Sequence, residues 1–403
     1  MIRAVVIASL AEGRSRILRP LDSLDTRSAA VACRALGATI DISDDAWTVE
    51  GTGGHIATPE NVIDVGNSGT TLYIALSMAA LGEGGSVFTG DEQTRRRPAG
   101  NLLRSLCDLG AEAFSTRGDR GLCPIVVCGP LKGGRTSIEC PTSQFLTSLL
   151  ISTPLANGDS EIEVPLLNEQ PYVEMTLSWL HGQGVTPERD DFSYFRIRGG
   201  HRYRHFQLPV PGDFSSATFF LVAGALGGND VTLTGLDMND TQGDKAVVDM
   251  LKAMGARIDI GEDAIRVAGG ELVGGEFDLN ATPDALPAMA VAGCFARGTT
   301  RLVNVPQARL KETDRIAVMH QALSTLGGKV TELPDGLVIE HSELKGGNVH
   351  GHADHRVVMA LAVAATACKK ATTIDTAETA AVTFPNFTEL MTSLGAKLRQ
   401  REG

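Results

Sequence analysis

Two kinds of apolar run alternate along the chain. The longer covers three to four helical turns, is apolar on nearly every face, as at 285–295 and 357–367, and opens on a cluster of small or polar residues. Such a helix belongs inside a domain. It closes on a turn near Gly13, Gly85, Gly158, Gly228, Gly298 or Lys370 and passes into a short β-branched run, the pattern of a strand. A second helix then ends in Leu/Met-Gly-Ala or a near variant, with glycine where a helix C-terminus needs a left-handed residue. These glycines are Gly37, Gly110, Gly184, Gly255, Gly327 and Gly395, and successive ones lie 73, 74, 71, 72 and 68 residues apart. Spacing this regular identifies six copies of one unit. The second copy reads strand 61–65, helix 70–81, strand 86–89, helix 100–109 and a strand pair ending at Val127, which is a βαβαββ order.

Six such units exceed one comfortable core, and Pro209-Val210-Pro211-Gly212-Asp213 punctuates the chain between the third and fourth. The expectation is an α/β protein of two domains, 1–211 and 212–403, with three units each. The polar clusters that open the buried helices would then converge. Helix N-termini carry unpaired N–H groups and positive dipole ends, so several aimed at one interdomain cleft would hold a polyanion. Any one cluster alone reads equally well as a helix cap; six in register weigh against it.

Composition narrows the function classes. A net charge of −12 leaves no spread of positive charge for nucleic acid or an anionic membrane surface, so an anionic ligand must meet a local basic cluster. Seven cysteines without framework spacing fit a reducing compartment, and no run of 18 apolar residues offers a membrane span. A cytosolic monomer is expected, with neither nucleic-acid nor membrane partners.

Candidate chemistry lies at the helix starts. In Arg309-Leu310-Lys311-Glu312-Thr313-Asp314-Arg315, a helical reading makes Lys311 and Arg315 i,i+4 neighbours that present two cations to one ligand. Asp354-His355-Arg356 precedes an apolar helix, where Arg356 suits a carboxylate or phosphate and His355 a hydrogen bond or proton transfer. His350 and His352 lie upstream, but no carboxylate or cysteine spacing completes a tetrahedral metal site. Of Arg95, Arg96 and Arg97, one is expected to face a ligand and two the solvent. Gly66-Asn67-Ser68-Gly69-Thr70-Thr71 places small residues where backbone approaches a ligand, and Pro141-Thr142-Ser143-Gln144 offers hydroxyls and an amide. Asp284 opens an apolar helix and is the best carboxylate for accepting a proton.

The six-unit arithmetic and these motifs, in this order, resemble the enolpyruvyl transferase family over essentially the whole chain, and within it the branch whose acceptor is shikimate-3-phosphate. Lys-Glu-Thr-Asp-Arg at 311–315, Asp-His-Arg at 354–356, Gly-Asn-Ser-Gly-Thr at 66–70 and Ser-Gln-Phe-Leu-Thr at 143–147 carry the resemblance, supported by Pro171-Tyr172 and Gly212-Asp213-Phe214-Ser215-Ser216-Ala217. It implies a two-domain inside-out α/β barrel that moves the enolpyruvyl group of phosphoenolpyruvate to the acceptor's 5-hydroxyl and needs no cofactor or metal. Arg3, Thr142, Ser143, Gln144, Tyr172, Gln307 and Lys311 would hold shikimate-3-phosphate. Arg97, Arg315 and Arg356 would hold phosphoenolpyruvate, with Gly69 backing its pocket and Asn67 in the same loop. Asp284 would take the hydroxyl proton and Glu312 deliver the methylene proton, beside Lys311 and His355. Acceptor binding would close the domains and complete the phosphoenolpyruvate pocket.

Some positions depart from the family pattern. Tyr73 stands where many relatives have Arg, Glu169 where Ser and a cation usually precede Pro-Tyr, and Val382 where some have Lys. Met1-Ile2-Arg3 enters the first helix almost directly, so the first unit reads as incomplete and lacks the family's Lys-Ser loop; slow turnover is the expectation for this chain. Two other readings stand beside the first. A UDP-N-acetylglucosamine enolpyruvyl transferase carries a cysteine before the Arg-Pro pair, and 90–97 contains none. A binding homologue without catalysis accounts for the missing loop, but Asp284, Lys311, Glu312, Arg315, His355 and Arg356 are all retained.

Overall fold

The computed structural model describes residues 1–401. The chain divides into two compact units, Met1–Val210 and Pro211–Gly403. Its helices are α1 (Ile2–Leu10), α2 (Leu24–Ala35), α3 (Gly69–Ala79), α4 (Gly100–Asp108), α5 (Ser143–Ser152) and α6 (Gln170–Gly182) in the first unit. The second contains α7 (Phe214–Ala225), α8 (Ala246–Ala253), α9 (Leu286–Phe295), α10 (Arg315–Thr325), α11 (His355–Thr366) and α12 (Phe387–Ser393).

The apolar helices lie in the cores. Every residue of α7 is buried, and α7, α9 and α11 all touch one another. The N–H groups of a first turn have no partner within the helix, and on three of these helices side chains take them. Ser68 accepts from Thr71 on α3, Asp213 from Ser215 and Ser216 on α7, and Asp354 from Arg356 and Val357 on α11. The other helices end where the sequence placed glycine. Gly37, Gly110, Gly184, Gly255, Gly327 and Gly395 have φ of 109°, 96°, 78°, 97°, 97° and 99°, a region a side chain enters only at a cost.

Unit 1 contains three four-stranded sheets of one pattern. Ile63–Asp64 runs parallel to Gly85–Thr89, and Ile125–Cys128 and Glu112–Ser115 continue antiparallel. Gly134–Cys140, Ser160–Leu167, Tyr194–Ile197 and Glu188–Asp190 repeat that order. In the remaining sheet, Arg14–Leu18 finds its parallel neighbour in Gln207–Pro209, with Ile17 opposite Leu208. The end of unit 1 thus supplies the strand position that precedes the buried helix in the other two sheets. Unit 2 has a four-stranded sheet of the same order, Glu276–Asp278, Thr299–Val303, Gly336–Glu340 and Lys329–Leu333. A three-stranded sheet (Asp230–Thr234, Ala264–Ala268, Arg257–Ile260) and a strand pair (Asn348–Val349, Thr373–Ile374) accompany it.

Three local expectations change. Strand 61–65 is only Ile63–Asp64. Lys311 is not on a helix with Arg315: a 3-10 turn ends at Leu310, and α10 starts at Arg315 because Asp314 caps it through Ala317 N. Asp284, expected to open the apolar helix, sits instead in the 3-10 turn Pro283–Ala285 ahead of α9.

The core of unit 2 gives the first test. Phe219 is fully buried, its ring 6.2 Å from that of Phe387. Phe219→Ala removes those contacts and leaves a void, and is expected to lower the stability of unit 2 by about 3–5 kcal/mol, measured by urea unfolding.

Candidate functional site

In unit 1 the expected residues gather at helix N-termini. Thr142 caps α5, and Ser143 and Gln144 form its first turn. Gln144 Nε2 donates to Thr70 Oγ1 at 2.9 Å, linking the first turns of α5 and α3. Arg97 is 5% exposed and stacks on Tyr73, its guanidinium carbon 5.7 Å from the ring centre. Gly69 makes this possible, because a Cβ there would lie 2.1 Å from Arg97 Nη1. Arg95 and Arg96 are exposed, as expected of two of the three arginines.

Arg3 and Tyr172 complete this group. From α1, Arg3 donates to Thr176 Oγ1 and to the Tyr172 carbonyl, each at 2.9 Å. Burial lowers its pKa to about 10, so the guanidinium is charged at neutral pH. Asn67 does other work: its amide donates to Asp91 (2.6 Å) and Gln93 (2.7 Å), bracing the loop that leads to Arg97.

In unit 2 the charges form one network around Arg315, which is 1% exposed. Its guanidinium meets Asp354 Oδ2 at 2.9 Å, Asp284 Oδ1 at 2.8 Å and Glu312 Oε2 at 2.5 Å. Arg356 reaches the other Asp284 oxygen at 3.0 Å. Burial by itself would push the Asp284 carboxyl up, but Arg356, Lys311 and Arg315 hold it well below the usual carboxylate range. Asp284 is therefore ionised, a poor base while both arginines bear on it. Gln307 is buried in the turn before Lys311 and donates to the Asn280 carbonyl at 2.9 Å.

Asp354 stands in the Asp-His-Arg motif, but the sequence assigned it no role of its own. It is fully buried, receives Arg315 and Thr313, and caps α11. An acidic residue directly before an apolar helix was the available signal, and it also fits an ordinary cap.

Buried polar atoms without hydrogen bonds recur on the expected residues: Gln144 Oε1, Gln307 Oε1, Asn67 Oδ1 and His355 Nδ1. The same holds for Trp47 Nε1, Ser160 Oγ and Thr300 Oγ1, so the feature alone does not single out a site. Among the described residues no histidine, cysteine, aspartate and glutamate grouping could hold a metal ion.

His355 gives a test with a definite sign. Burial lowers its pKa to about 4, against Glu312, which favours the charged ring. The unfolded chain, with an ordinary imidazole near 6.5, binds this proton first as pH falls. Stability should therefore drop from about pH 6.5 to about pH 4 by roughly 3 kcal/mol from this group. Urea unfolding across that range should show a shallower drop in His355→Gln.

Comparison with known proteins identifies the family. The family model described as EPSP synthase (3-phosphoshikimate 1-carboxyvinyltransferase) matches residues 2–391. The 3-phosphoshikimate 1-carboxyvinyltransferase of Acetivibrio thermocellus is 55% identical, covering 98% of this chain and 94% of that protein. The enzyme of the same name from Methanocaldococcus jannaschii is 40% identical over 98% of this chain and 93% of its own. Among solved structures, EPSP synthase from Acinetobacter baumannii superposes with a TM-score of 0.81 at 28% identity, covering 98% of this chain and 93% of that one. With a family match over residues 2–391 and a relative 55% identical over 98% of this sequence, the chain belongs to the EPSP synthase (3-phosphoshikimate 1-carboxyvinyltransferase) family.

Proposed function

We propose that this protein transfers the enolpyruvyl group of phosphoenolpyruvate to the 5-hydroxyl of shikimate-3-phosphate and releases phosphate. The observation that carries this reading is Arg315 and Arg356 converging on Asp284, two buried cations on one carboxylate. Such a pair is built to take a carboxylate and a phosphate from the same small molecule. Phosphoenolpyruvate has both, and Arg97 is its third cation. Thr142, Ser143, Gln144, Arg3, Tyr172, Gln307 and Lys311 hold the acceptor.

The reaction proceeds by addition and elimination. The acceptor oxygen bonds to the enol carbon while the methylene carbon gains a proton, with Glu312 as donor. Loss of a methyl proton and cleavage of the carbon–oxygen bond to phosphate then restore the double bond. Asp284 takes the hydroxyl proton. Its basicity is suppressed while Arg315 and Arg356 bear on it, and returns as the donor's anionic groups draw those charges away. Neutral His355 lends a hydrogen bond at the same centre. No cofactor or metal enters this scheme.

We read the fold as six βαβαββ units, three in each domain, forming an inside-out barrel. The six left-handed glycines after α2, α4, α6, α8, α10 and α12 and the shared strand order of four sheets support it. The seven free cysteines support a cytosolic setting, and no described helix is long and apolar enough to cross a membrane. The absence of cysteine from 90–97 speaks against UDP-N-acetylglucosamine as acceptor.

Phosphate release with phosphoenolpyruvate and shikimate-3-phosphate tests the activity directly; no release, or release only with UDP-N-acetylglucosamine, would overturn the reading. Arg356→Ala should cost about ten- to hundred-fold in kcat/KM for phosphoenolpyruvate, the worth of a charge-assisted contact. Gly69→Ala should leave the protein folded, since the end of a flexible side chain can move, but displace Arg97. A several-fold rise in KM for phosphoenolpyruvate is expected, and an unchanged KM would remove Gly69 and Arg97 from the pocket.

A further inference from the structure

The carboxylate of Glu169 lies in the anion seat at the start of α5. Glu169 is 1% exposed and precedes α6, yet its side chain does not cap that helix. It reaches α5 instead. One oxygen, Oε2, accepts from Ser143 N at 2.9 Å, Ser143 Oγ at 2.8 Å and Thr142 Oγ1 at 3.2 Å. A helix N–H and two hydroxyls around one anionic oxygen is the arrangement by which proteins bind phosphate. Glu169 itself has φ 63°, the left-handed region, unfavourable for a side chain without compensating contacts.

Thr142 and Ser143 are the groups assigned above to shikimate-3-phosphate, and the inference rests on that reading. Their donors cannot serve Glu169 and a substrate phosphate at once, and two anions in one buried seat repel. We propose that Glu169 is an internal competitor for the acceptor's phosphate: its carboxylate fills the seat in the free protein, keeps the buried donors satisfied, and must leave for the phosphate to enter. Its effect falls on acceptors that bring a phosphate to the seat, whose affinity it lowers. Only an acceptor whose phosphate enters the seat bears the cost of displacement, which the phosphate's own hydrogen bonds to the three donors offset in part. An acceptor without phosphate leaves Glu169 seated and gains nothing from its removal.

Calorimetric titration with shikimate-3-phosphate, and separately with shikimate, tests this. Glu169→Gln removes the charge, and Glu169→Asn removes it with a residue that tolerates a left-handed backbone. If the seat is filled nine-tenths of the time or more, both variants should bind shikimate-3-phosphate at least about ten-fold more tightly, with shikimate affinity unmoved. Unchanged or weaker binding of shikimate-3-phosphate by the folded variants overturns the proposal, as does equal tightening of shikimate, which would place Glu169 against the ring. Ser143→Ala separates the two levels of inference. If it leaves shikimate-3-phosphate affinity unchanged, the assignment of α5 to the phosphate is what failed. If it weakens binding while neither Glu169 variant tightens it, the competitor role alone is wrong.

Discussion

A helix that is apolar on every face has to be buried whole, and its first turn is buried with it. The four N–H groups of that turn have no partner within the helix and little water beside them, so they take partners from neighbouring side chains. This constraint explains why Ser68, Thr142, Asp213 and Asp354 stand where they do, each accepting from the first turn of a buried helix. It also explains why polar chemistry gathers at helix starts. The rest of each buried helix offers only hydrocarbon, so substrate groups can be met only at its end.

Burying Arg315 adds a second demand. Removing a guanidinium from water costs several kcal/mol, recovered only when its donors are fully matched. Three carboxylates meet that demand, drawn from the turn before α9, the loop before α10 and the cap of α11. Those elements are thereby held to one another through a single cation. Asp354 serves both demands at once, as cap and counter-ion, which couples the start of α11 to the network. Arg97 fits in the space left by the missing side chain of Gly69 and over the face of Tyr73, an attraction suited to a buried cation.

Much of this was legible in the chain. Helix ends could be read at six glycines because only glycine enters the left-handed region freely. Burial could be read from apolar faces because helical periodicity is local. The arginines, the lysine and the acids of 309–315 and 354–356 could be named as chemistry because so many charges beside apolar helices need partners. What misled was local too: Lys311 and Arg315 four residues apart suggested a shared helix face, whereas the Asp314 cap starts the helix only after Lys311.

Partnership is what sequence could not supply. Asp284 reads as a cap until Arg315 and Arg356, 31 and 72 residues away, are seen on its oxygens. Glu169 reads as a departure before Pro-Tyr until it is found in the first turn of α5. Nor could it be read that residues 207–209 complete the sheet of residues 14–18, since pairing depends on where the chain returns. The sequence by itself determined which segments are helix or strand, which faces are buried and which residue types carry charge, because these follow from interactions within a few residues. Only the tertiary structure decided which charge neutralises which and which donors are already occupied, because hydrogen bonds and ion pairs act over a few ångströms in space, whatever their separation along the chain.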